Sequence, residues 1–216
     1  MNNHPLHLNL TATQVHEDKL LRAAIAVPPV FDFYFTRHRF SGLGSEILAD
    51  LLPKNEYEVQ LFNFPNQQKK GRTAPFPKKL NFLKPHIIKN EAGSVSFFTR
   101  YQRFGPPLSE CADQLTAFSP NIIFISCFAF CYADASLELA SLIRTRRPKT
   151  IIAIGGAGVS AYPDFFIQNQ NIDFALTGEA EVSIPSFLNA LKSNTKDFSQ
   201  VALEIPNLYH KTFLLF

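Results

Sequence analysis

A repeated rhythm constrains this chain more than any other feature. Short apolar runs recur along it, and segments whose apolar residues fall at helical spacing separate them. Ala23-Ala24-Ile25-Ala26-Val27 is stopped by Pro28-Pro29. Tyr57 to Phe64 alternates and ends at Pro65, Asn121 to Ser126 carries Ile122-Ile123-Phe124-Ile125, Thr150 to Ile154 closes on Gly155-Gly156, and Ile172 to Leu176 runs into Thr177-Gly178. The intervening stretches read as helices: from Ser41 through Leu43, Ile47, Leu48, Leu51 and Leu52; Leu108 to Phe118; Ala133 to Arg146 through Leu137, Leu139, Ala140 and Ile143; Tyr162 to Gln168; and Glu181 to Leu191. Strands that lack clear alternation and are separated by helices are buried on both faces, as in a parallel sheet. Right-handed crossovers then predict an α/β, doubly wound, flavodoxin-like (Rossmann-like) fold: a five-stranded parallel sheet in the order 2-1-3-4-5.

Composition sets the outer limits. The 216 residues are 46% hydrophobic and 18% charged, enough to bury one sizeable core and unlike a disordered chain. The uncharged runs Asn121 to Ala133 and Thr150 to Tyr162 are shorter than the roughly 20 residues of a membrane-spanning helix. No basic segment leads into an apolar one at the start, and three cysteines make no disulfide framework. A cytoplasmic protein without a membrane partner is the expectation. Residues 1–21 read as a polar lead-in. Its His4, His7 and His16 have no carboxylate or cysteine at ligand spacing, so no metal site is expected there.

Charge is unevenly spread. Between Asn66 and Gly105 nine basic residues face one acid, Glu91, whereas acids outnumber bases by five over the rest of the chain. This basic insert after the second strand (66–107) is able to meet nucleic acid or phosphate. Without a nucleic-acid motif beside it, it reads as a solvated excursion, and nucleic acid is disfavoured as a partner. Phe97, Phe98, Tyr101 and Phe104 are spaced for one face of a short helix.

In a doubly wound sheet, ligands bind beyond the carboxyl ends of the strands, where strand order reverses. The unusual residues fall at those ends. A long loop from Val30 to Phe40 carries Phe31, Asp32, Tyr34, Arg37 and His38. The third strand leaves through Ser126-Cys127-Phe128, the fourth through Gly155-Gly156-Ala157, the fifth through Thr177-Gly178-Glu179-Ala180-Glu181. Small residues there let a bulky ligand approach the backbone. Structural alternatives stand beside each feature: a tight turn at the glycine pair, a backbone hydrogen bond for Ser126, helix capping by Glu179 and Glu181.

Several chemistries are excluded. Pro28-Pro29-Val30 occupies the place of a dinucleotide-binding glycine run, Gly42-Leu43-Gly44 comes too late to replace it, and no phosphate-binding P-loop occurs. Ser126 is not in a nucleophile elbow. Cys127 and Cys131 lack a third cysteine for an iron–sulfur cluster and read as small residues lining the ligand edge.

The ordered set Ala26-Val27-Pro28-Pro29, Leu43-Gly44, Tyr57-Glu58-Val59, Ile123-Phe124-Ile125-Ser126, Ile154-Gly155-Gly156 and Thr177-Gly178-Glu179-Ala180-Glu181 resembles the N-terminal cobalamin-binding domain of cobalamin-dependent radical S-adenosylmethionine proteins. The resemblance spans roughly Ala23 to Leu191. It implies a corrinoid across the carboxyl edge of the sheet, its nucleotide tail inserted along that edge. Ser126 would sit near the tail, Gly155 and Gly156 would make room for it, and Gly178-Glu179-x-Glu181 matches the stretch after the fifth strand. Cys127, Phe128, Ala157 and Thr177 complete the expected cofactor-binding set, with no catalytic residue and no metal ligand. His38 lacks the flanking aspartate and glycine of the cobalt-ligating motif, as Thr36 and Ser41 stand there. Domain boundaries are expected at 22–194 for the cobalamin-binding unit and 195–216 for a connector, in which Ile205-Pro206-Asn207-Leu208-Tyr209 resembles the segment leading into the radical barrel. No cluster cysteines occur before Phe216. The expectation is therefore a module, a fragment or the product of a truncated gene, served by a barrel in trans or in a longer parent protein; the alternatives are a flavodoxin-like interaction or regulatory domain with no cofactor, and nucleic-acid binding through the basic insert.

Overall fold

The computed structural model describes residues 20–33, 42–87, 100–192 and 202–210. Its centre is a six-stranded, largely parallel sheet. In chain order the elements are β1 (Leu21–Val27), β2 (Val30–Asp32), α1 (Leu43–Leu51), β3 (Tyr57–Asn63), β4 (Arg72–Thr73), β5 (Gln102–Phe104), α2 (Leu108–Ala117), β6 (Ile122–Ser126), α3 (Ala133–Arg146), β7 (Ile151–Gly155), α4 (Ala157–Ala161), α5 (Pro163–Ile167), β8 (Phe174–Leu176), α6 (Ala180–Lys192) and β9 (Leu208–His210). The central sheet runs β3-β1-β6-β7-β8-β9, with every pairing parallel except β8 with β9.

Each central strand sends alternate residues to two cores. Ala24 and Ala26, Ile123 and Ile125, and Ile152 and Ile154 face α2, α3 and α5. Ala23 and Ile25, Ile122 and Phe124, Ala153, and Phe174 and Leu176 face α1 and α6. Both faces are apolar, so the strands lose the polar alternation of a half-exposed sheet. Phe187 anchors the second core with its ring 4.8 Å from Phe174 and 6.5 Å from Phe124. At the strands' amino ends, Arg144 clasps the sheet by donating to Asp173 Oδ2 (2.6 Å) and to the carbonyls of Thr150 and Pro148.

Three differences from expectation matter. The sheet has six strands rather than five, because Leu208–His210, expected in a connector, pairs antiparallel with β8. Val30–Asp32, expected as loop, is a strand. It joins β5 and β4, both from the basic insert, in a second sheet of order β2-β5-β4. Residues 102–104 are therefore extended rather than helical, while Phe97 and Phe98 lie outside the described residues. Tyr34, Arg37, His38, Glu91 and the lead-in 1–19 also lie outside them. Among the described residues no helix is long and apolar enough to cross a membrane.

Candidate ligand cleft at the carboxyl edge

Strand order reverses between β1 and β6, and a cleft opens there between the first turns of α1 and α6. Its floor is Ile25, Phe124, Ile125 and Leu176; Gly44, Ser45, Ile47 and Leu48 of α1 form one wall. Thr177, Gly178, Glu179, Ala180, Glu181 and Ile184 form the other, and Ser126, Gly155 and Gly156 close the end. The cavity proper is about 180 Å³, and the cleft opens from it to solvent.

Backbone pairing assembles these residues. Ser126 is in register with Gly155, and Gly155 with Leu176. The wall after β8 is held from two sides: Gly178 N–H donates to Ser160 Oγ (3.0 Å), and Thr177 N–H donates to Asn207 O (2.9 Å). Gly178 itself turns the chain at φ +65°. Thus α4 and the segment before β9, both beyond what the sequence pattern revealed, fix the position of Thr177 and Glu179.

The paired glycines divide their duties. Gly156 has φ +108° and ψ 174°, a region essentially reserved for glycine, and a Cβ there would lie 2.7 Å from Cys127 O. The turn from β7 into α4 demands it. Gly155 has no such constraint: a Cβ there would meet only Leu176, its carbonyl oxygen at 3.4 Å and its Cβ at 3.6 Å. At Gly44, in the first turn of α1, a Cβ would meet nothing within 4 Å, and its φ is an ordinary one that any residue adopts. Gly44 and Gly155 are therefore glycines that the fold does not require and whose missing side chains widen the cleft.

Not every expected site residue reaches it. Ser126, Gly155, Gly156, Thr177, Gly178 and Glu179 line the cleft. Cys127 instead turns into the opposite core, 1% exposed, with its Sγ 3.3 Å from Ala129 O. Burial pushes its thiol up to about 11. Phe128 packs at a tilt against Tyr132, ring centres 4.8 Å apart, and Ala157 opens α4 outside the cleft wall. Cys131 is exposed while Cys127 is buried, so the pair does not present two thiols together. Among the described residues no group of three or more His, Cys, Asp or Glu gathers as a metal site. Conversely, Gly44 and Ser45 were missed. The signal for Gly44 is a second glycine just after the N-cap Gly42, where the helix start needs only one.

No protein-family model matches the chain. It is similar to the cobalamin-dependent radical SAM methyltransferase TokK of Streptomyces tokunonensis, with 27% identity over 96 residues, 44% of this chain and 14% of that protein. Its fold is shared with the radical S-adenosylmethionine methyltransferase TsrM of Kitasatospora setae. The TsrM structure with cobalamin and a [4Fe-4S] cluster matches at a TM-score of 0.55 and 14% identity, covering 89% of this chain and 27% of that one. The structure with tryptophan and a SAM analogue matches at 0.54 and 15%, covering 89% and 28%. The chain thus spans a small part of each relative.

Proposed function

We propose that this chain is a cobalamin-binding module. The corrinoid lies across the carboxyl edge of the central sheet, with its nucleotide tail in the cleft between α1 and α6. The observation that carries this reading is the pair of glycines, Gly44 and Gly155, whose absent side chains leave space in the cleft that the fold does not use. Sequence similarity to TokK and fold similarity to TsrM point the same way.

The residues present suit such a tail. Ile25, Phe124, Ile47 and Ile184 offer apolar surface to a flat heterocycle. The hydroxyls of Ser45 and Ser126 have no hydrogen-bond partner among the described residues and are available to orient it. Gly155 and Gly178 bring backbone close to the ligand, while Gly156, Cys127, Phe128 and Ala157 support the turn behind it. The bound corrinoid supplies the cobalt chemistry; the chain's part is to hold and orient it for methyl transfer or a related radical reaction. The reaction itself belongs to a radical S-adenosylmethionine barrel, in trans or in a longer parent protein, working in the cytoplasm.

The test is retention of colour. Purified protein mixed with hydroxocobalamin and passed through a desalting column should emerge with the corrinoid spectrum near one per chain. Gly155→Leu should fold and melt like wild type yet retain less than a tenth as much, because its side chain enters the cleft. A colourless wild-type protein refutes the reading, and full retention by Gly155→Leu moves the ligand elsewhere.

A further inference from the structure

Among the described residues, the cations of the basic insert are less often matched by acids than those elsewhere. Outside it, Arg22, Lys54, Arg144, Arg146 and Lys192 each pair with a carboxylate, and Arg147 and Lys149 do not. Inside it, Lys79 pairs with Asp134, whereas Lys69, Lys70, Arg72, Lys78, Arg100 and Arg103 have no acidic partner among the described residues. The register sharpens the contrast. Arg72 of β4 stands directly opposite Arg103 of β5, so both side chains leave the same face of the small sheet. Directly opposed like charges destabilise a strand pair. Arg103 Nε donates to Gly105 O at 3.0 Å, which anchors that guanidinium, and its terminal nitrogens have no partner among the described residues. Aromatic rings are interleaved with the cations: Phe82 is 69% exposed, and Lys84 Nζ lies 5.7 Å from the centroid of Phe76.

We infer that the β2-β5-β4 sheet binds the phosphate backbone of a single-stranded nucleic acid, with Arg72 and Arg103 sharing a phosphate. A bridging oxyanion turns their repulsion into two charge-assisted contacts. The exposed ring of Phe82, among the cations of the insert, suits an unpaired base, which stacks on an aromatic face without regard to sequence. The inference is independent of the corrinoid reading, since the residues it uses are absent from the cleft.

Fluorescence anisotropy of a labelled 20-nucleotide single-stranded DNA, titrated with the full chain between 25 and 200 mM KCl, tests it. Wild type should bind and weaken steeply with salt. The double variant Arg72→Gln, Arg103→Gln should bind at least tenfold less tightly at 50 mM salt, with a salt slope shallower by about 0.7 per lost phosphate contact. Its melting temperature should equal or exceed wild type, which shows that the loss is not unfolding. Lys149→Gln, one exposed charge outside the insert, should leave affinity within twofold. The inference is overturned by absence of binding at 25 mM salt or by an unchanged double variant. Displacement by inorganic phosphate at constant ionic strength also overturns it, in favour of a single-phosphate site. Equal competition by poly-glutamate overturns it in favour of an acidic protein partner.

Discussion

The cleft and the small sheet crown the same end of the molecule and are built in opposite ways. The cleft is an outgrowth of the regular fold: strand ends, first helical turns, and glycines at places where helix and sheet would tolerate side chains. The small sheet is assembled from three short strands distant in sequence, and its surface is cationic and aromatic. Between them run Phe128 and Tyr132, whose hydroxyl donates to Asp32 Oδ2 at 2.5 Å and ties the loop after β6 to the end of β2. The comparison teaches that one region is limited by what its backbone can adopt and the other by what its charges can bear.

Substitutions separate the two. Gly156→Ala should have the largest effect, a loss of about 3 kcal/mol in urea unfolding, since a strained φ and a 2.7 Å clash act together. Gly155→Ala should stay within about 1 kcal/mol of wild type. Equal losses at both would erase the division of labour between the neighbouring glycines.

Alkali probes both regions next, because each sits on a buried thiol. Burial raises Cys127, behind the cleft, to about 11, and Cys111, on α2 near Arg103, to about 12. Below the ordinary thiol value of 9 both are protonated in folded and unfolded chains, so their contribution to stability is flat with pH. Above it the unfolded chain ionises first and stability falls until the folded thiols ionise in turn. Thermal melts should therefore be level to pH 9 and drop from there towards pH 11. A midpoint independent of pH across that range would contradict the burial of both cysteines.

Smaller effects sharpen the seam and the sheet. Tyr132→Phe should cost about 1–2 kcal/mol by urea unfolding, since it removes a donor from the Asp32 carboxylate. No loss would mean that the small sheet is held by its aromatic packing alone. Arg72→Glu should raise stability by about 0.5 kcal/mol at low salt, replacing opposed like charges with a pair, and the gain should vanish in 0.5 M salt. Destabilisation instead would show that the guanidiniums splay apart.

The parts legible in the sequence were those carried by local pattern. Ile122-Ile123-Phe124-Ile125 had to be buried on both faces, and Leu43, Ile47 and Leu48 had to share a helix face; the carboxyl-edge location of Ser126, Gly155 and Thr177 followed from those elements. The parts that were not legible depend on distant neighbours. Leu208–His210 is three residues long and is a strand only because β8 offers a free edge. Val30–Asp32 is extended because residue 104 returns to pair with residue 30.

By itself, then, the sequence determined the layers, the sheet between them and the edge at which a ligand would sit, since apolar periodicity and glycine or proline punctuation act within a few residues. Tertiary structure alone decided which glycine serves the turn and which the cleft, that Cys127 faces away from it, and that Arg72 meets Arg103. Those outcomes depend on the direction of a side chain and on contacts between residues far apart in the chain, and neither is encoded in spacing.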